Sequence, residues 1–378
     1  MLLWGTYDLT KPRTRIFRDS LQRQAGEVTE VHADLWRATR DKSASAGVRA
    51  LAWIVLRHLA AYPGLIWRFL RAPRPDVAAV GYMGHLDVLV LWPFARLRGV
   101  PVVWDMFLSL YDTVVLDRGM LAPGGIAARL LWAFERLALG AADLTVLDTE
   151  AHARRIEALF RLAPGRIASV PVGAEAGAFP ALPPAPRAHG DDLRILFYGQ
   201  FIPLHGIETI VEAARLASDK PWRWHLIGTG QEAPRIRAEL AKHPVPRLDW
   251  EEWVPYERLI ERIGEAHICL GVFGDSGKAA SVVPNKVFQA LSAARPIVTR
   301  DSPAMRELVP KDTPGIALVP PANPQALVDA IAAMAVEAEN GTTSPGYRAL
   351  REAIRPDRIA DAWGRAVARV DRKRQTGP

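Results

Sequence analysis

The sequence predicts an α/β protein built of two doubly wound domains, on three observations. Apolar runs of strand length alternate with amphipathic runs of helix length, as in PDVAAVGYMG, LDVLVLWPFARLRG and VPVVWDMF. This strand–helix–strand rhythm implies parallel pairing and right-handed crossovers. The length, 378 residues, suits two domains. Residues 181–192, ALPPAPRAHGDD, are rich in proline and polar residues without apolar periodicity, and so read as a linker that divides the chain nearly in half.

The first domain is expected over residues 1–180. MLLWG reads as a buried strand ending in a loop at Gly5, and KPRTRIFRDSLQRQ as the first helix, followed by the strand VTEVHADL. Residues 43–72 combine tryptophan and aliphatic residues with Arg49, Arg57, Arg68 and Arg71. From Lys11 to Arg74 there are 13 Lys and Arg against 5 Asp and Glu. Two readings fit, and both can hold: a pair of helices packed on the sheet with arginines on the wet face, or contact with an anionic membrane through residues 43–74. The strands before Gly84 and ending at Asp105 place His85 and Asp105 at carboxyl ends, where functional residues gather in such sheets. SLYDTVVLDRG reads as a loop. GGIAARLLWAFERLALGAAD reads as an amphipathic helix with Leu130, Leu131, Phe134, Leu137 and Ala138 on one face. LTVLDTEAH continues as strand, loop and helix start, with Asp148 or Thr149 as N-cap.

The second domain is expected over residues 193–350, with 351–378 as a C-terminal helix and basic tail. It opens with the strand LRILFYGQF and a loop and helix carrying Gln200, His205 and Gly206. WRWHLIGTGQEAPRIRAEL holds Gly228-x-Gly230-x-x-Ala233, with Asp249 about 20 residues on, which matches a dinucleotide fingerprint. A dehydrogenase would want this turn first in its domain, but another strand and helix precede it. NAD binding is therefore not expected.

The chain is organised around Ala266 to Thr299. HICLGVF is a strand-length apolar run, GDSGKAASV a small polar loop, PNKVFQALSAA a helix with Pro284 and Asn285 near its start, and RPIVT a further strand. A flexible loop emptying onto a helix N-terminus is an anion site, because unpaired N–H groups and the positive dipole end face the same way.

Composition sets further bounds. Hydrophobic residues make up 49% and charged residues 24%, ordinary for globular cores. One cysteine, Cys269, excludes an internal disulfide framework and reads as a small buried hydrophobe. No Cys/His cluster suggests zinc. The net charge of +7 favours anionic partners. MLLWGTYDLT has no basic region before its apolar run, and no apolar run reaches roughly 18 residues, so neither a signal peptide nor a membrane span is expected.

The Ala266–Thr299 stretch resembles the donor-binding segment of the retaining nucleotide-sugar glycosyltransferases of family 4, with the GT-B fold (glycosyl transferases group 1). The family's E-A-x-A-x-G-x-P helix is written here from Gln289 to Pro296, and Ser281 and Gln289 stand where many members carry two glutamates spaced Glu-x7-Glu. PNKVF resembles one branch's P-N/S-K-x-F. The usual Arg and Lys of G-R-x-x-x-x-K-G are Gln200 and His205 here, with Gly206 retained; Lys278 or Lys286 could supply the missing charge. RIASVPVGAEAGAF resembles V-I-P-N-G-V-D-x-x-x-F, and Trp253-Val254 the family's G-x-V step.

The resemblance implies two Rossmann-like domains facing a central cleft, with the last helix crossing back to the first domain. It implies transfer of a sugar from a nucleotide-diphosphate sugar to a polysaccharide, lipid-linked or glycoconjugate acceptor, without a metal or other cofactor and with no nucleic-acid partner. His85 and Asp105 would touch transferred sugar or acceptor. Donor binding would involve Gly5, Gln200, His205, Gly206, Gly228, Gly230, Trp253 and Val254. The loop Gly274, Asp275, Ser276, Gly277 and Lys278 would take the sugar, the helix start at Pro284, Asn285, Lys286 and Val287 the phosphates, and Gln289 the ribose. The expected place is the cytoplasm, with peripheral contact at the inner face of the cell membrane. Two other readings stay open: a catalytically silent GT-B binding subunit, and a nucleotide-sugar epimerase on the same fold.

Overall fold

A computed structural model describes residues 1–35, 48–175, 177–186, 190–339 and 345–375. Two compact units divide the chain: residues 1–172 together with 356–378, and residues 173–355.

The first unit runs β1 (Leu2–Gly5), α1 (Pro12–Ala25), β2 (Thr29–His32), α2 (Val48–Arg71), β3 (Ala78–Val80), α3 (His85–Leu97), β4 (Val102–Asp105), a π-helical turn (Asp112–Asp117), α4 (Ile126–Ala141), β5 (Leu144–Leu147), α5 (Glu150–Leu159) and β6 (Ile167–Ser169). The strands pair in the order β2-β1-β3-β4-β5-β6, all parallel. β1, β3, β4 and β5 are buried at every position, as expected for a parallel sheet with helices on both faces.

The second unit runs β7 (Leu193–Tyr198), a 3-10 turn (Pro203–His205), α6 (Ile207–Leu216), β8 (Trp222–Ile227), α7 (Ala233–Lys242), β9 (Leu248–Glu251), α8 (Tyr256–Glu265), β10 (Ile268–Leu270), α9 (Gly277–Ser281), α10 (Asn285–Ser292), β11 (Ile297–Arg300), α11 (Pro303–Leu308), β12 (Ile316–Val319), α12 (Pro324–Glu339) and α13 (Pro345–Ala353). Its parallel sheet has the order β12-β11-β10-β7-β8-β9. The connection reverses direction between β7 and β10, the place where open α/β sheets leave a crevice for a ligand. The final helix, α14 (Pro356–Gln375), belongs to the first unit and packs along α1. There the Trp363 ring sits 4.4 Å from Phe17.

Several local expectations are corrected. Residues 48–71 form one helix with Pro63 inside it, not a pair. Tyr62, Leu65 and Phe69 pack into the core across the proline, and that packing outweighs the break suggested by Pro63-Gly64. Residues 43–47 lie outside the described residues, as do the side chains of Arg49, Trp53 and the basic tail from Asp371. On α4 the inward residues are Ala128, Glu135, Ala138 and Leu139, while Leu130 and Leu137 face solvent. The buried carboxylate explains the misreading: Glu135 accepts from the backbone N–H of Leu110 (2.9 Å) and of Tyr111 (2.8 Å).

SLYDTVVLDRG is not an open loop. Its π-helical turn is started by Ser109 Oγ accepting from Asp112 N at 3.0 Å and anchored by Arg155 Nη2 donating to Asp112 at 2.6 Å. Within GDSGKAASV the short helix α9 forms because Ser276 Oγ accepts from Ala279 N at 3.1 Å. Residues 177–186 lie along the second unit, where Leu182 N donates to Ala293 O at 3.3 Å and Phe179 packs edge-on to Tyr256.

Candidate functional site

The second unit gathers most of the sequence-predicted residues at the carboxyl ends of β7, β8 and β10. The loop after β7 is fixed from both sides. Gly228 and Gly230, after β8, press on it so closely that a Cβ on Gly228 would stand 1.9 Å from Gly199 O, and one on Gly230 2.8 Å from Phe201 O. Phe201 N donates to Thr229 O at 2.9 Å. These glycines therefore serve backbone-to-backbone packing, which gives the Gly228-x-Gly230 pattern a structural cause without a dinucleotide. Asp249, 3.3 Å from Arg223, is held in an ion pair.

From the other side, the loop meets the segment after β10. Phe273 N donates to His205 O (3.0 Å) and Gly274 N to Leu204 O (3.2 Å). Gly206 is in the left-handed region at φ 63°, and a Cβ there would meet Gly274 N at 2.6 Å. Gln200 is exposed, and its carbonyl accepts from His205 Nδ1.

Lys286 reaches this loop from the first turn of α10. It is buried, and its Nζ stands 3.7 Å from the centre of the Phe197 ring with no hydrogen-bond partner. A Cβ on Gly199 would lie 3.0 Å from that Nζ and 3.2 Å from His205 Cε1, so Lys286 and His205 converge on one glycine. The His205 ring packs edge-on to Phe197. Burial pushes the Lys286 ammonium well below the ordinary lysine value. Asn285 Oδ1 is also buried without a partner, and the α10 start follows Pro284 as N-cap. In this candidate cradle the Lys286 ammonium, carried on the first turn of a helix and standing beside Gly199, offers donors to an anion; Asn285 Oδ1, an acceptor, does not.

Val287 and Gln289 are buried on α10, and Lys278 and Ser281 on α9; Ser281 Oγ donates to Lys278 O at 3.0 Å. Asp275 and Gly277 are exposed beside the half-buried Ser276. Val254 is half-buried, whereas Trp253 stands 75% exposed.

Gly5, His85 and Asp105 belong to the first unit. A Cβ on Gly5 would collide with Asp87 Oδ2 at 2.3 Å, because Asp87 accepts from Thr6 N (2.8 Å) and Tyr62 OH (2.7 Å). His85 Nε2 lies 3.3 Å from Glu135, and its ring packs edge-on to Trp104. Asp105 is fully buried and paired with Arg13, Nη2 to Oδ1 at 2.8 Å and Nε to Oδ2 at 2.9 Å. Both side chains are engaged inside the unit.

Three residues were missed. Phe197 supplies the ring beneath Lys286, and Tyr198 OH donates to Lys286 O at 3.2 Å. Arg300, buried at the end of β11, donates to the carbonyl of Gly274 and holds the loop before α9. A basic residue closing the apolar run IVTR was the available signal. A separate cavity of about 280 Å³ lies on the β7–β9 sheet face, away from this cradle. There Arg262 pairs with Glu251 at 3.0 Å, and His225 Nε2 lies 2.7 Å from the same carboxylate. Among the described residues no group of three His, Cys, Asp or Glu is placed to hold a metal ion.

Known proteins place this architecture. Residues 13–173 match the family model described as "Glycosyl transferase 4-like domain", and residues 192–336 match "Glycosyl transferases group 1". No curated protein sequence matches the chain. Sucrose-phosphate synthase from Thermosynechococcus elongatus superposes with a TM-score of 0.64 at 16% identity, covering 84% of this chain and 79% of that one. Anabaena Alr3699/HepE, solved in complex with UDP, superposes with a TM-score of 0.66 at 9% identity, covering 97% and 99%. The pneumococcal O-GlcNAc transferase GtfA, in complex with UDP and GlcNAc, gives 0.55 at 13% identity over 82% and 60%. The chain thus carries a glycosyl transferase 4-like domain followed by a group 1 glycosyl transferase domain, on the GT-B fold.

Proposed function

We propose that the protein is a retaining glycosyltransferase that moves a sugar from a nucleotide-diphosphate sugar to a polysaccharide, lipid-linked or glycoconjugate acceptor at the cytoplasmic face of a membrane. The observation that carries the donor side is the buried, partnerless Lys286 Nζ at the start of α10. An isolated buried ammonium is costly, and a diphosphate would supply the charge it lacks.

In this reading the diphosphate lies against Lys286, Asn285 and the α10 amides, with Gly199 leaving room for it. His205 borders the same loop. Lys286 then replaces the cationic pair found in relatives, and Gln289 hydrogen-bonds ribose hydroxyls as a neutral group. Transfer breaks the bond from the sugar anomeric carbon to the diphosphate oxygen and forms one to the acceptor oxygen on the same face. The acceptor proton passes to the leaving diphosphate, whose charge is stabilised by the ammonium and the helix start. No metal is assigned.

Titration calorimetry with a panel of nucleoside diphosphates, beginning with UDP, tests the donor reading, since HepE was solved with that nucleotide. Saturable binding lost in Gln289→Ala and Lys286→Met supports it. Binding of a nucleotide without release of sugar from any donor would favour the silent binding subunit. Binding of NAD alone would overturn the reading. The anomeric configuration of the product, read by NMR, decides retention.

A further inference from the structure

We infer that the outer surface of α2, α3 and α4 is a docking face for an anionic lipid bilayer. This extends the place of action proposed above to a defined surface, and it rests on the first unit alone, so it stands or falls independently of the donor site. Fifteen large apolar side chains are exposed among the described residues, and twelve of them fall between Leu56 and Leu137. Soluble surfaces scatter such residues singly; a concentration of this kind marks a contact surface.

On α2 and α4 the exposed residues follow helical spacing. On α4, Ile126 (80% exposed), Leu130 (66%) and Leu137 (65%) recur at intervals of four and seven, so they line one outward stripe. On α3, Trp92 and Leu97 (83% exposed) point outward while Val88, Leu91 and Ala95 enter the core. On α2, Leu56, Leu59, Trp67 and Leu70 are exposed opposite Tyr62, Leu65 and Phe69. α3 packs against both α2 and α4, so the two stripes and the exposed α3 residues between them belong to one helical layer.

Charge selects the occupant. Residues 48–141 contain ten arginines and no lysine against six acidic residues. Asp87, Asp105, Asp112, Asp117 and Glu135 are all buried, which leaves Asp76 as the exposed acid of the segment. Arg71, Arg96 and Arg129 are exposed among the apolar stripes, and the Arg71 guanidinium lies 4.8 Å over the Trp67 ring. A surface of tryptophan and aliphatic residues with arginine and almost no acid complements the acyl boundary and phosphate headgroups of an anionic leaflet. No helix of the described residues is long and apolar enough to cross a membrane, so the contact is peripheral.

Vesicle co-sedimentation of the full chain tests this, with phosphatidylcholine vesicles compared with vesicles containing phosphatidylglycerol. The expected result is binding to the anionic vesicles alone, weakened by salt, with a blue shift of tryptophan fluorescence. Leu97→Asp with Leu130→Asp is expected to reduce partition at least about ten-fold. Arg71→Glu with Arg96→Glu is expected to reduce it by about five-fold or more per arginine. All four positions are exposed, and unchanged melting temperatures check that the variants fold. Absence of vesicle binding, or binding indifferent to both variants, overturns the inference. Self-association seen by sedimentation velocity and abolished by the leucine variant, without vesicle binding, would identify a second copy as the occupant and equally overturn it.

Discussion

Lys286 Nζ stands 3.7 Å from the centre of the Phe197 ring, buried and with no hydrogen-bond partner. A cation–π contact compensates only part of the cost of desolvating an amine. Lys286→Met keeps the stem and removes the polar end. It is expected to stabilise the ligand-free protein by about 1–3 kcal/mol. At about 2–4 °C per kcal/mol for a unit of this size, the melting temperature rises while the nucleotide-induced shift disappears. Differential scanning fluorimetry with and without nucleoside diphosphate reads both. A destabilised variant would show that Lys286 has a structural role.

The same lysine predicts proton uptake on binding. Burial depresses its pKa in the free fold, so the unfolded chain binds the proton more readily, and this group adds stability as pH rises from the folded toward the unfolded value. A bound diphosphate reverses the depression. Affinity is therefore expected to rise as pH falls through the window between bound-state and free-state values, then to level off. Calorimetry in buffers of different ionisation heat should show uptake approaching one proton in the wild type, lost in Lys286→Met. Equal uptake in both proteins would remove Lys286 from the site.

Gly228→Ala would drive a Cβ to 1.9 Å from Gly199 O, a backbone atom, at φ 148°. A shift of backbone is required, and a loss of about 3–5 kcal/mol is expected. Gly64→Ala, in a helix with nothing within 4 Å, is expected to gain roughly 0.5–1 kcal/mol. Chemical denaturation separates the two. A Gly228→Ala protein of normal stability would contradict the close packing of the two loops.

The alternation of buried strands and helices made the α/β class legible, because parallel strands covered on both faces are continuous apolar runs such as ILFY and VVW. The candidate cradle was legible in part. PNKVF marked the start of α10 and its lysine, because proline's fixed φ suits a helix start. Phe197 and Tyr198 were not legible as site residues, because side chains inside a buried strand look alike until the register shows which of them lies beneath Lys286. The outward stripe of α4 was misread for a related reason. Glu135 marks the inward face, but a carboxylate reads as solvent-facing until its backbone partners at Leu110 and Tyr111 are known.

Asp105 was expected to touch sugar or acceptor, and it pairs with Arg13 in full burial. Asp105→Asn would leave the guanidinium buried without its counter-charge, at a cost of about 3–5 kcal/mol. Replacing both partners, Arg13→Met with Asp105→Leu, is expected to recover much of that loss. Urea denaturation of single and double variants checks this. If Asp105→Asn keeps wild-type stability and loses turnover, the carboxylate acts on substrate instead.

Cys269 lies in the middle of β10, and burial pushes its thiol up to about 12. The thiolate is the reactive form, so native protein at pH 8 should leave a disulfide reagent unreacted while unfolded protein reacts promptly. The folded pKa exceeds the unfolded value. This group's contribution to stability is therefore complete below the unfolded pKa and is lost as pH climbs from there toward 12. Labelling rate in the native state then follows the opening of the second unit, since β10 sits between β7 and β11 in the sheet. A nucleotide bound at α10 should slow labelling in proportion to its occupancy. If labelling is fast and indifferent to nucleotide, β10 is not held in the closed sheet that positions the cradle.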